Sequence, residues 1–488
     1  MPVSFPILSA IMLAPGVGML LILFLPHDNQ KAVKWISLAS AAVSLMLTLY
    51  LYVQYDRIAG GLQFKEEILW VKSWGIYYFL GVDGINLPLV LLTSIVFFTG
   101  IWTMWDLTKR VKEFFALMLL MVLGVYGVFM SLDLFFLFVF YDVSLFPMYP
   151  LIAIWGSTRK EYGALKLTLY LLAGSALIVP GMLYLYFQSG INTFNMVLLA
   201  NHGFTPQVQS IGFFLFLFGF GVLAGLWPFH TWSPVGHVAA PTAVSMIHAG
   251  VLMKLGAYGI LRVGMYLCPH GLVEWAPLFS TLATIGIVYG AFVGLAQTDL
   301  KYVIGYSSVS HMGLVSLGLS TMTIGGINGA VFQMFAHGIM TALLFSSVGH
   351  VYDRTHTKLI PELGGMAKVM PRASFFFILA ALAGIGVPCL ASFWAELLVF
   401  INSVKVYPVL GTFAVLGLVV SALFMLRVVQ KTFYGEKNER HAHAPDMGWA
   451  MTVPRAILAG TIVLFGFFPR LMLDVINVGV MPLVEMFK

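Results

Sequence analysis

Apolar runs of about 20 residues, the length that crosses a roughly 30 Å hydrocarbon core as helix, recur along nearly the whole chain. Short polar stretches separate them and collect most of the charges. Fourteen such segments stand out, near 7–25, 34–55, 85–105, 113–131, 133–155, 164–187, 209–231, 241–263, 275–297, 302–321, 326–349, 373–402, 408–431 and 456–480. The pattern predicts an all-α polytopic membrane protein forming a single membrane domain over 1–488.

One place departs from the rule that charge stays in the connections. The 87 residues from Leu167 to Met253 contain no Asp, Glu, Lys or Arg, and the charge that ends the run, Lys254, falls inside an apolar helical segment from Pro241 to Leu261. An ammonium is costly in hydrocarbon, so a lysine at that depth marks an ion or proton path. It lies too far along the helix to reach either surface easily.

Orientation follows from the basic residues, because Lys- and Arg-rich loops stay in the cytoplasm. Counting side chains toward a segment end with the adjoining connection or tail, seventeen of the 26 Lys and Arg follow odd-numbered segments, Arg455 among them, seven follow even ones or lie in the tail, Arg262 among them, and Lys254 and Arg427 remain within segments. Both termini are therefore expected on the outer side of a bacterial or archaeal cytoplasmic membrane. The first 26 residues carry no charge, so they lack the basic start of a cleavable signal peptide and read as the first span.

Composition sharpens the picture. Residues are 60% hydrophobic and 9% charged, against roughly 25% charged in soluble domains. The net charge of +6 implies contact with anionic lipid, not nucleic acid. Cys268 and Cys389 are far apart and form no C-x-x-C, and no Walker A, G-x-G-x-x-G or clustered metal spacing is present, so no redox centre, nucleotide site or metal is expected on this chain. His441 and His443 belong to a polar loop.

Asp142, Lys254, Glu396 and Arg427 are the acidic and basic groups read at membrane depth. Glu396 follows Gly384-Ile385-Gly386-Val387-Pro388, a stretch that breaks a helix through a missing donor and relaxed backbone. Broken backbone at that depth is tolerated where it lines a cavity or is buried in protein. His230, His237, His248, His311, His337 and His350 lie in or at the ends of segments. Histidine passes protons at small free-energy cost, so with Lys254 and Glu396 they predict a titratable axis on which His311 and His337 are the foremost members. Gly286-x-x-x-Gly290-x-x-x-Gly294 and Gly221-x-x-x-Gly225 suit close helix packing. Asp133 is either a helix-start cap or a proton-entry group.

The run Pro228-Phe-His-Thr-Trp-Ser-Pro-Val-Gly-His, continuing through His248-Ala-Gly-Val-Leu-Met-Lys254, resembles the proton-pumping antiporter-like subunits of NADH:quinone oxidoreductase, complex I. Tyr306-Ser-Ser-Val-Ser-His311, Gln333-Met-Phe-Ala-His337, Gly81-Val-Asp-Gly84 and Phe146-Pro-Met-Tyr-Pro fit the same family. Glu396 matches the branch with an acid, not lysine, in the twelfth helix. The resemblance implies two inverted five-helix repeats, helices four to eight (113–263) and nine to thirteen (275–431), with helices seven and twelve broken. It implies a proton path over Lys254, His311, His337 and Glu396. It further implies partners among other membrane-arm subunits, including other antiporter-like ones, with quinone, flavin and iron–sulfur clusters held by partner chains. A related reading is a subunit of a multi-subunit cation/proton antiporter.

Two positions depart from the family. Its fifth-helix glutamate is Asp142 here, and its seventh-helix lysine is Leu223. In the family those two look like an ion pair that gates proton flow, so the resemblance implies an altered entry half leaning on water and His248, or a scaffold whose pumping is weakened or lost.

Overall fold

The computed structural model describes residues 5–487, and Lys488, counted above in the tail, lies outside them. Among the described residues, eleven helices are long and apolar enough to cross a membrane. Leu87–Thr103, Leu300–Ser320 and the pair Pro371–Gly384 and Ala391–Val406 supply three more crossings. The fourteen expected spans are thus present, and they are numbered here in chain order.

The layering is set by which spans meet lipid. In the thirteenth span, Pro408–Val429, the exposed side chains Val409, Phe413, Leu416, Val419, Leu423 and Leu426 recur at helical spacing and form an outward apolar stripe. The eighth span, Thr242–Met265, and the eleventh, Ile324–Thr355, have no such stripe: their most apolar windows are 100% buried. These two enclosed helices carry Lys254 and His337, so the titratable groups sit at the centre of the bundle.

The seventh and twelfth crossings are both interrupted. Pro206–Ala224 ends at Gly225, whose φ of +74° sends its N–H back to the carbonyls of Gly221 and Val222. The chain resumes as Trp232–Ala239, and the indole of Trp232 donates to Val222 O across the gap. In the twelfth, Pro371–Gly384 stops before Gly386 (φ +71°) and Pro388, and Ala391–Val406 follows. Glycine is suited to both turns because an L side chain is strained at positive φ.

Several expectations change. Gly225 terminates a helix, so Gly221-x-x-x-Gly225 is not a packing stripe; the close approach in this region is instead Gly174 against Gly219. Gly290 does pack against the backbone of Tyr306 and Ser310, and Gly294 against Phe424. The last segment is Trp449–Phe467, displaced from 456–480, because Pro469 starts a separate helix, Arg470–Glu485. An antiparallel hairpin, Gln63–Val71 with Ile76–Val82, lies between the second and third spans and was not foreseen. Its Glu66 accepts the free amides of Leu8 and Ser9 (2.8 and 3.1 Å) at the start of the first span, where an anion is favoured by unpaired N–H groups.

Candidate proton axis

Lys254 lies between two widened turns of the eighth span, His248–Leu252 and Ile260–Met265, a local loosening frequent at functional positions. Its ammonium donates to Ala249 O and meets His337 Nδ1 at 2.7 Å. With Nδ1 accepting from the ammonium, the other ring nitrogen of His337 carries the proton. That nitrogen, Nε2, is buried without a hydrogen-bond partner.

The succession continues across the bundle. The rings of His337 and His311 are 5.0 Å apart. The Gln333 amide nitrogen donates to His311 Nδ1 (3.1 Å) and to Glu396 Oε1 (3.4 Å), and His311 Nδ1 lies 3.5 Å from that same oxygen. Glu396 Oε2 is buried with no hydrogen-bond partner and faces the break at Gly386, where an added Cβ would collide with it. Lys254, His337, His311 and Glu396 are therefore brought together, and Gln333 joins them. Gln333 was legible only as part of its motif, one helical turn before His337.

On the other side of Lys254, the His248 and His237 rings are 4.4 Å apart, His248 lies 5.1 Å from Trp232, and Ser233 Oγ is 3.1 Å from His237 Nε2. His237 sits on the half-helix Trp232–Ala239, whose last carbonyls are all taken. Ser157 contacts Val238 O and Ala239 O, Lys301 Nζ donates to Ala240 O at 2.9 Å, Lys358 Nζ to Val238 O at 3.4 Å, and Ser245 Oγ to His237 O at 3.0 Å. Two lysines at this end complement its partial negative charge. Asp299, at the start of the tenth span, faces Lys358 at 3.9 Å; burial holds its carboxyl above the usual range and Lys358 opposes that.

Asp142 is not part of this gathering. It is half-buried, accepts one hydrogen bond from Ser175 (3.3 Å), and opens on a cavity of about 560 Å³ lined by Phe146, Tyr149, Leu167 and Leu172. No hydrogen bond joins it to His248, and Leu223 is fully buried. The expectation that the entry half leans on water and His248 therefore finds no direct contact between His248 and Asp142.

Arg427, read as lying at membrane depth, is exposed near the end of its helix and donates to Leu295 O at 3.3 Å. Two arginines assigned to connections are instead buried in helices. Arg262 holds both carboxylate oxygens of Asp83 at 2.7 and 2.6 Å and donates to Tyr258 OH at 3.1 Å. Arg455 donates to Ser346 O at 2.7 Å. Asp133 is a helix cap: its Oδ1 accepts from Phe135 N and Phe136 N, and its Oδ2 from Tyr77 N.

Two interrupted crossings and a row of buried titratable groups on enclosed helices define a polytopic α-helical membrane protein of the transporter type. Residues 131–423 match the family model described as NADH:quinone oxidoreductase/Mrp antiporter, TM. The chain belongs to this family. It is 36% identical over 484 residues to NADH-quinone oxidoreductase subunit M of Rickettsia prowazekii, covering 98% of both chains. A chain in the structure of respiratory complex I from Thermus thermophilus with bound NADH superposes with a TM-score of 0.90 at 26% identity, covering 99% of this chain and all of that one. A chain of the Mrp complex from Dietzia sp. shares the fold alone, at TM-score 0.80 and 20% identity, with 99% and 97% of the two chains covered.

Proposed function

We propose that this chain is the antiporter-like subunit M of a complex-I-type quinone oxidoreductase, and that it passes protons across the membrane while its partners carry out the redox chemistry. The observation that carries the reading is the succession Lys254, His337, His311, Gln333, Glu396, running from the enclosed eighth span to the break in the twelfth. The end-to-end identity with a subunit M favours it over an Mrp-type assembly, which the chain resembles in fold only.

In this reading the Lys254 ammonium gives up a proton to the His337–His311 pair, and His311 hands it to Glu396 across the 3.5 Å between Nδ1 and Oε1, while the Gln333 amide holds both groups in place. Moving one charge against about 100 mV costs roughly 2.3 kcal/mol, so the drive comes from electron transfer on other subunits, where quinone, flavin and iron–sulfur clusters reside. The surrounding membrane is the cytoplasmic membrane of a bacterium or archaeon, with basic loops inside and both termini outside.

The division into inverted units, 113–263 and 275–431, is supported by a recurrence of local contacts. Gly124 packs on Phe140 and Ser144 as Gly290 does on Tyr306 and Ser310. Asp133 caps its helix and bridges to Asn195 as Asp299 caps its own and bridges to Leu359. The spacings Gly124, Asp133, Phe140, Ser144 and Gly290, Asp299, Tyr306, Ser310 are identical.

The test is proton translocation per electron in vesicles containing the intact complex with Lys254→Ala. A lowered ratio with electron transfer retained supports the reading; an unchanged ratio makes the chain a scaffold.

A further inference from the structure

At the end of the bundle bearing the basic loops, a cavity of about 340 Å³ lies where the third, eighth, eleventh and fourteenth spans begin or end. Its charged lining is Asp106, Lys109, His350, Asp353, Arg354 and Arg455, none of which belongs to the succession from Lys254 to Glu396. A space of that size holds several water molecules at about 30 Å³ each.

The floor of the cavity is fixed. Arg455 is almost fully buried, and its guanidinium holds Ser346 O, one turn before His350 on the eleventh span. Gly349 lies so close to Thr242 that any side chain at 349 would overlap it, which presses the eleventh span against the start of the eighth. His350 lines the cavity, yet its Nε2 is wholly buried and has no hydrogen-bond partner. The imidazole therefore stands between an aqueous space and the protein interior. Arg354 on its own helix, Arg455 on the fourteenth span and Asp446 in the preceding connection are the charges acting on it.

Both helices that meet at this floor lead to the axis. Thr242 opens the span that carries His248 and Lys254. His350 and His337 share the eleventh span, thirteen residues or roughly 20 Å apart. Between them, the Phe345 and His237 ring centres are 5.5 Å apart, and His237 meets His248 edge to face.

We propose that this cavity is the proton intake of the subunit and that His350 is its proton acceptor, passing protons toward His237 and His248 and so to Lys254. One ring nitrogen takes a proton from cavity water while the other releases one inward, so the imidazole returns to neutrality after each transfer. This rests on the proton-translocating reading above. It locates uptake away from Asp142, whose cavity lies elsewhere and holds none of these groups.

The experiment uses the intact complex in vesicles and compares protons translocated per electron for wild type, Lys254→Ala and His350→Ala. Imidazole is then added to the His350→Ala complex from either side. The expected result is that His350→Ala lowers the ratio as far as Lys254→Ala does, and that imidazole on the basic-loop side restores it while imidazole on the other side does not. If Lys254→Ala lowers the ratio and His350→Ala leaves it unchanged, or if imidazole fails to restore it, the intake assignment is overturned and the translocating reading stands. If neither variant changes the ratio, both are overturned. A second variant, Thr242→Cys with Cys389→Ser, needs no His350 substitution: a membrane-impermeant thiol reagent applied from the basic-loop side is expected to label residue 242, as read by mass spectrometry of this chain. Absence of that label overturns a water-filled intake.

Discussion

Glu396 Oε2 occupies the space in which a side chain at residue 386 would begin. The carboxyl at one end of the axis and the glycine that breaks the twelfth span are therefore one structural unit. Gly386→Ala adds a Cβ in that space and forces an L residue to φ +71°, a backbone cost of about 1–2 kcal/mol. The variant complex is expected to assemble with slightly reduced heat resistance and clearly fewer protons per electron. Full pumping by Gly386→Ala would show that the carboxyl is free to move away at no cost.

Two acids at membrane depth differ sharply in setting. Glu396 is buried beside His311 and Gln333, whereas Asp142 is half-buried with only Ser175. Glu396→Gln keeps the shape and removes the proton, so it is expected to reduce the proton-to-electron ratio as much as Lys254→Ala. Asp142→Asn is expected to have a smaller effect. Vesicle proton uptake measured against quinone reduction compares the two directly, and an equal or larger loss for Asp142→Asn would contradict the assignment.

Asp83 and Arg262 form a buried, two-point ion pair. Asp83→Asn preserves the capping of Ile85 N and Asn86 N but strands the guanidinium. Breaking such a pair costs about 3–5 kcal/mol, more than replacing both partners. Less of the subunit should be retained in the membrane for Asp83→Asn, with partial recovery when Arg262→Met is added. Immunoblotting of purified membranes after mild heating measures this, and normal retention of the single variant would argue against a stabilising pair.

The connection after the second span gives a pH-dependent prediction. Amides of Ala59 and Ile58 donate to the exposed Asp56 carboxylate and hold it below its ordinary value. A depressed folded value means that the turn is fully supported above the ordinary carboxylate range and loses that support as the pH falls through the depressed value. Hydrogen exchange over residues 56–61, corrected for intrinsic rates, should therefore accelerate in acid for wild type but not for Asp56→Ala.

The sequence exposed most of the architecture because hydrocarbon imposes a length and a composition on every crossing. The break in the twelfth span was legible for the same reason, since Gly386 and Pro388 stand out in apolar surroundings, whereas the seventh breaks at Gly225, ahead of Pro234, which sits inside Trp232–Ala239. Lys254, His337, His311 and Glu396 were visible as charge or imidazole where little polarity is tolerated. Gln333 was concealed by its neutrality, although it supplies both hydrogen bonds that link His311 to Glu396. Arg262 and Arg455 were misplaced because a basic residue near a span end reads as a loop residue unless its partner is known. Asp83 and the carbonyl of Ser346 are remote in sequence from the arginines they bind. The hairpin escaped because its pairing lies on the bundle surface, where the helical pattern of the spans gives no signal.

The half-helix Trp232–Ala239 has a mechanical consequence. Ser157 and Lys358 tether its terminal carbonyls from two connections and Lys301 from the first turn of the tenth span, so that end is held against sliding. The Trp232 indole ties the opposite end to Val222 O, so this short segment is moored at both ends. His237, carried between the two moorings, keeps a fixed station beside His248, and the break in the seventh span yields a rigid bracket for an imidazole where a loose strand would let it wander.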